Sequence, residues 1–148
     1  MSQINALAAQ RRRARHYALQ ALYQWTMTQN SLVDIEAEFR IDNDFTHVDG
    51  EYFNVVINGV ASSVSELEAL LAPRLDRALE DLDPIERNLL RLGTFELRER
   101  IDVPYKVVIN EAVALAKKFG ATDSYRYING VLDQIARELR AVEVAAET

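Results

Sequence analysis

The chain has no cysteine among its 148 residues. That excludes a disulfide framework and thiolate chemistry, and it suits a reducing cytoplasm. Histidine occurs only at His16 and His47, which are not spaced to share a metal, and there is no His-Glu-x-x-His motif. Neither a metal centre nor a cofactor is expected. The five glycines are scattered, so no glycine-rich loop can cradle a phosphate. No apolar run is long enough to span a bilayer, and no N-terminal apolar segment resembles a signal peptide. No segment alternates as a strand would, and no repeat of fixed period occurs. Acid is missing from the first 33 residues altogether.

That last absence is informative. The same 33 residues hold Arg11, Arg12, Arg13 and Arg15, whereas the remaining 13 basic and 23 acidic residues give the rest of the chain a net charge of −10. A basic end on an acidic body is the sign asymmetry of a chain that touches nucleic acid at one end. With 49% hydrophobic and 27% charged residues the composition is that of a globular domain. A chain of this length can bury a sizeable core without staples.

Apolar spacing predicts an all-α fold of about seven unequal helices in two packed helical lobes. Residues 1–8 carry no pattern and are expected to fray. A helix over about Ala9–Gln29 has Ala14, Tyr17, Ala18, Ala21, Leu22 and Trp25 on its inner face. Its first turns would carry the arginines, where the helix dipole disfavours cations. A local rule broken without structural gain points to function, phosphate contact, rather than to a merely solvated basic end. A short helix over Leu32–Phe39 and a loop over Asp42–Gly50 follow. The loop fails as a calcium site, with His47 where a turn glycine belongs and Phe53 where a glutamate belongs. It reads instead as turn and capping chemistry.

A long helix is expected over Asp49–Ala72, ended by Pro73. Asp83-Pro84-Ile85-Glu86 is a strong helix start, with cap, proline and an acid three residues after the cap. That helix runs to about Glu99. The next, from an Asp102 cap to Gly120, is so apolar that it reads as the buried centre of a bundle. Gly120 is expected to be left-handed and Thr122 to cap the last helix, which runs to about Arg140. Residues 141–148 read as a tail. The chain is thus one helical domain over 1–148, with lobes of about 9–80 and 83–140 divided at Asp81–Leu82.

Catalytic sites need convergent polar groups, and few are available. Asn110 and Glu111 form the polar edge of a helix rather than an acid–base pair, so no enzymatic activity is expected. Binding is better supported. Guanidinium forks grip phosphates, and Tyr125 and Tyr127 bracket Arg126 close in sequence to Lys117 and Lys118. Aromatic faces interleaved with cations suit unpaired bases. Tyr125 lies on the apolar stripe and reads as core. Tyr127 lies off it and reads as exposed, and Trp25 reads as core.

Four segments, R-R-R-A-R, A-L-Y-Q-W, D-V-P-Y-K-V-V-I-N-E-A-V-A-L-A-K-K-F-G and Y-I-N-G-V-L-D, resemble the NusB family of bacterial transcription antitermination factors. The likeness runs in order from about Arg11 to Ile135. It implies a non-catalytic helical protein that pairs with NusE, a small-subunit ribosomal protein. The pair would bind the single-stranded boxA element of nascent RNA and help the RNA polymerase antitermination complex read through terminators, notably on ribosomal RNA operons. By position, Arg11, Arg12, Arg13 and Arg15 match the family's RNA-binding arginines. Tyr127 matches an aromatic on the RNA side, and Asp123 a turn at the same surface. Lys117 and Lys118 join them as candidate RNA contacts. Tyr23 and Glu86 match positions facing NusE. The family likeness implies no membrane, a cytoplasmic location, and a monomer or weak homodimer when free. The acidic tail E-V-A-A-E-T departs from the basic ending of some relatives.

Overall fold

The computed structural model describes residues 3–147, with Ile4 by its backbone alone. Its helices are α1 (Gln3–Thr28), α2 (Leu32–Asp42), α3 (Gly50–Ser62), α4 (Val64–Leu71), α5 (Pro84–Glu99), α6 (Tyr105–Phe119), α7 (Ser124–Leu139) and α8 (Ala141–Ala146). Short 3-10 turns, Ala72–Arg74 and Leu79–Asp81, lie between α4 and α5. Among the described residues there is no strand, and the class is all-α. Two expectations at the ends are corrected. The supposedly frayed start is helical from Gln3, and the supposed tail contains α8. Residues 1, 2 and 148 lie outside the described residues.

The chain divides into two compact units at Ser62 and Ser63, not at Asp81–Leu82. The reason is that α4 packs against α5 and α7. The single helix expected over Asp49–Ala72 is broken at Ser63, whose φ and ψ are −125° and 22°. Serine hydroxyls compete for backbone groups and favour helix ends. Ser62 does so here, its Oγ donating to the Gly59 carbonyl at 3.3 Å.

The first unit is α1, α2 and α3. Ala14, Ala18 and Ala21 are fully buried and let α3 lie close against α1, with Leu19, Leu22, Phe53, Val56, Ile57 and Val60 filling the space. The loop after α2 is drawn in by Phe45, which stacks on Tyr17 at 5.3 Å and meets Phe53 edge-on at 5.2 Å. Asp44 accepts from the Thr46 N–H at 2.9 Å, and Asp49 caps α3 by accepting from the Tyr52 N–H at 3.0 Å. Trp25, expected in the core, is only half-buried.

In the second unit the central helix is α5, not α6. Every residue from Asn88 to Leu97 is buried, because α4, α6 and α7 all pack on α5. The apolar pattern missed this because α5 buries polar groups with partners. Asn88 donates back to the Pro84 carbonyl at 2.9 Å, and Arg91 reaches Glu68 through Nη2 at 2.5 Å and Asn88 through Nη1 at 3.2 Å. At Gly93 a Cβ would come within 2.7 Å of the buried Leu132, so glycine sets the approach of α7. Helix α6 buries one face only, through Tyr105, Val108, Ile109, Ala112, Leu115 and Ala116.

The α5–α6 corner is closed by one side chain from the far end of α7. Arg140 is buried and its guanidinium donates to five acceptors. Four are carbonyls: Glu96 at 3.2 Å, Leu97 at 2.7 Å, Arg100 at 2.9 Å and Val103 at 3.0 Å. The fifth is Glu143 Oε1 at 2.7 Å, whose other oxygen accepts from the Tyr105 N–H at 2.8 Å. The start of α6 is therefore capped from α8. Asp102, expected to cap it, instead pairs with Arg100 at 3.1 Å, and Pro104 precedes the helix.

Replacing Arg140 by methionine should lower stability by about 2–5 kcal/mol, read from the urea midpoint, because the buried Leu97 and Val103 carbonyls lose their donor. Arg140→Lys should recover little, since one ammonium cannot span the fork's acceptors. The Glu143 carboxyl is pushed up by burial, but the Tyr105 N–H and Arg140 outweigh this and hold it below 4.5. Such a group stabilises above its unfolded value and loses that contribution as pH falls through its folded one. Urea midpoints should therefore drop more steeply below about pH 4.5 in the wild type than in Glu143→Gln.

Candidate nucleic-acid interface

The four N-terminal arginines do not act alike. Because α1 starts at Gln3, they lie about two turns inside it. The dipole effect fades within the first turn, so the expected conflict with it disappears. Arg11 and Arg15, four residues apart, share a face of the helix. Both lie over the buried Tyr52 ring, at 4.5 and 5.3 Å from its centre. Arg11 also pairs with Asp49 at 3.6 Å, and Arg15 retains only 3% of its exposure. Arg15 thus packs over Tyr52 and is the most deeply buried of the four. Arg12 and Arg13 are exposed, and Arg13 Nη1 donates to the His47 carbonyl at 3.0 Å, fixing the loop against the helix. The four arginines therefore differ in exposure, with Arg12 and Arg13 the exposed two.

A second concentration of charge and aromatic surface lies where α6 gives way to α7. Lys117 and Lys118 end α6, both exposed. Gly120 is extended (φ −87°, ψ 171°) rather than left-handed; its need is space, since a Cβ would come within 2.3 Å of Ser124 Oγ. Asp123, not Thr122, holds the cap position of α7, at a left-handed φ of 67°. An aspartate tolerates that conformation better than most residues. The turn it makes brings Arg126 Nε within 3.9 Å of its carboxylate.

Both tyrosines are half-exposed, so neither the core place expected of Tyr125 nor the full exposure expected of Tyr127 is found. Tyr125 is half-exposed, with Lys117 Nζ 4.8 Å and the Arg126 guanidinium 5.8 Å from its ring centre. Its hydroxyl accepts from Arg126 Nε at 3.3 Å. Lys118 lies over Phe119, 5.5 Å from the ring centre. Tyr127 is partly covered. Its hydroxyl accepts from the Asp76 N–H at 3.3 Å, and the Arg77 guanidinium lies 5.0 Å from its ring centre. Burial holds its phenol pKa above the ordinary value. So Lys117, Asp123, Tyr125 and Arg126 converge, while Tyr127 joins Asp76 and Arg77. The last two were missed because the stretch between α4 and α5 has no period, and adjacent opposite charges there read as solvated loop.

The two expected partner-facing residues lie on different units. Tyr23 is exposed on α1. Glu86 is half-buried in the first turn of α5, where Asp83 caps by accepting from the Ile85 N–H at 2.7 Å. Burial, then the neighbouring Asp83 charge, raises the Glu86 carboxyl above 4.5, opposed by Arg77 and by the Asp83 N–H. Among the described residues no group of three or more His, Asp or Glu side chains could hold a metal ion. No single described helix is long and apolar enough to cross a membrane.

Comparison with known proteins gives these features a setting. The model of the NusB family matches residues 12–137. A transcription antitermination protein NusB of Pseudomonas putida (strain W619) is 58% identical over 139 residues, covering 94% of this chain and 84% of that protein. The structure of T. maritima NusB superposes with a TM-score of 0.78 at 33% identity, over 86% of this chain and 90% of that one. A NusB chain solved with NusE and double-stranded RNA gives 0.72 at 25% identity, over 86% and 96%. With matches in sequence and in structure over most of its length, this chain belongs to the NusB family.

Proposed function

We propose that this chain is a non-catalytic RNA-binding transcription antitermination factor of the cytoplasm. With NusE it binds the boxA element of nascent RNA and promotes read-through by RNA polymerase, notably on ribosomal RNA operons. The carrying observation is its 58% identity, over 94% of its length, to an antitermination protein. A related chain has been solved with NusE and RNA, which supports the same two partners here.

The side chains supply a mechanism. Arg12 and Arg13 hold phosphates, which fixes the transcript's position without reading sequence. Lys117 and Arg126 add charge beside the Tyr125 face, and Tyr127 offers a second ring, so exposed bases can stack. Asp123 at the turn supplies an acceptor for a base edge. Single-stranded RNA suits these rings better than a duplex, whose bases are already stacked. The net charge of −6 limits affinity for RNA alone and suits a basic partner at Glu86 and Tyr23. NusE binding and RNA binding then strengthen one another by the same factor.

Anisotropy titrations with a boxA-type oligonucleotide, a scrambled one and a duplex, with and without NusE, test this reading. Preference for the boxA strand, enhanced by NusE, is expected; equal binding of the scrambled strand would refute it. Removing two phosphate contacts by Arg12→Ala with Arg13→Ala should flatten the log–log salt slope by about 1.4. The wild type should consequently lose about sevenfold more affinity than the variant between 50 and 200 mM salt. Arg15→Ala should instead lower stability by about 0.5–2 kcal/mol, read from the urea midpoint, and leave the salt slope unchanged.

A further inference from the structure

Helix α2 is packed on one face only. Ile35 is buried, Phe39 meets the Tyr17 and Phe53 rings, and Glu36 accepts from Arg40 and Asn54. The opposite face carries a repeat. Three times, at intervals of four residues, an apolar residue is followed by an acid: Val33-Asp34, Ala37-Glu38 and Ile41-Asp42. Residues four apart lie one above another on a helix. Helix α2 therefore presents an apolar row beside an acidic row, each about 12 Å long. All six residues are exposed, Val33 by 74% and Ile41 by 82%. None of the three acids meets a cation among the described residues, and Glu38 accepts from Gln24 Nε2 of α1 at 3.4 Å.

Neither row helps the isolated protein. A β-branched side chain loses rotamer freedom in a helix and gains no packing on its outer surface. Like charges four residues apart repel. Two local rules broken on one face, with no gain inside the molecule, mark a surface completed by another molecule. The face also continues onto α1. The Gln24–Glu38 bond joins the two helices, Tyr23 precedes Gln24, and the exposed Met27 lies one turn beyond it.

We propose that the outer face of α2 is a docking surface for NusE, continuous with the place of Tyr23. Charge decides what covers it. The acidic row repels RNA and anionic lipid alike. A second copy is disfavoured, since two such faces packed antiparallel about a two-fold axis set acid against acid on a chain of net charge −6. A basic protein surface satisfies both rows at once. Its apolar ridge covers Val33, Ala37 and Ile41, while lysine or arginine side chains beside the ridge meet Asp34, Glu38 and Asp42. The inference rests on the reading of NusE as the basic partner at Tyr23, and it extends that contact from α1 across α2.

Calorimetric titration with NusE, without RNA and at low and high salt, tests this. Val33→Ser with Ile41→Ser removes the apolar row at nearly constant helix propensity. It should weaken NusE binding at least about tenfold at either salt concentration. Asp34→Asn, Glu38→Gln and Asp42→Asn together remove the acidic row. They should weaken binding about tenfold at low salt and less than about threefold at high salt. A merely structural role would lower the urea midpoint. Both variants should keep theirs, since Asp34 suits the dipole at the start of α2 about as much as Asp42 opposes it at the end. Unchanged NusE affinity in the Val33→Ser, Ile41→Ser variant overturns the proposal. So does a wild type that sediments as a dimer while that variant sediments as a monomer, which gives the face to a second copy. Tyr23→Ala runs beside them. If it leaves NusE binding unchanged, the reading of the partner on α1 has failed; if it alone weakens binding, only the extension across α2 falls.

Discussion

The C-terminal unit depends on the hydrogen bonds of the Arg140 guanidinium. A helix that ends inside a protein leaves carbonyls without donors, and burying them unpaired is unfavourable. Here the last carbonyls of α5 and the loop after it turn toward one planar cation, which meets four of them and a carboxylate at once. The carboxylate passes the connection on, because Glu143 also receives the first N–H of α6. An arginine suits this better than a lysine because its donors are fixed in a plane. One residue near the end of the chain therefore sets the corner from which α6 departs, and with it the place of Lys117, Asp123 and Tyr125.

The same economy of charge explains α5. A helix with Asn88, Arg91 and Glu96 on it does not read as the centre of a bundle, yet all three are buried. Arg91 is compensated by Glu68 of α4 and by Asn88 one turn back. Buried polar groups are tolerated where their partners are supplied. They also make the packing specific, since α4 must sit where Glu68 meets Arg91. Gly93 then lets Leu132 of α7 approach from another side. In the N-terminal unit the burial of arginine follows a different rule. Arg11 and Arg15 have aromatic surface beneath them, and a weakly hydrated guanidinium stacks on such a face at modest cost.

Much was legible without coordinates. The Asp83-Pro84 start of α5, the end of α6 near Gly120, the capping loop at Asp49 and the helical character of the whole follow from local chemistry. The resemblance to the NusB family followed from a long ordered block of residues. Errors gathered where a choice depended on what lies opposite. Asp102 has the chemistry of a cap but is taken by Arg100, and the cap comes from Glu143, thirty-eight residues beyond the Tyr105 N–H that it receives. Tyr125 lies on the apolar stripe of α7, yet cations stand around its ring at the surface; Tyr127 lies off the stripe, yet a loop covers it. The short stretch holding Asp76 and Arg77 had no pattern to read.

The sequence by itself determined the helical character of the chain, the bounds of its most strongly patterned helices, how charge is shared between the two ends, and to which family the chain belongs. Those properties rest on neighbours three or four residues apart and on residue types in order. Only the tertiary structure decided which of the arginines stay exposed. Four arginines stand almost consecutively, but Arg11 and Arg15 pack over Tyr52, with Asp49 beside Arg11, while Arg12 and Arg13 stay exposed and Arg13 holds the His47 carbonyl. Exposure depends on the far side of a contact, and that side comes from residues distant in the chain.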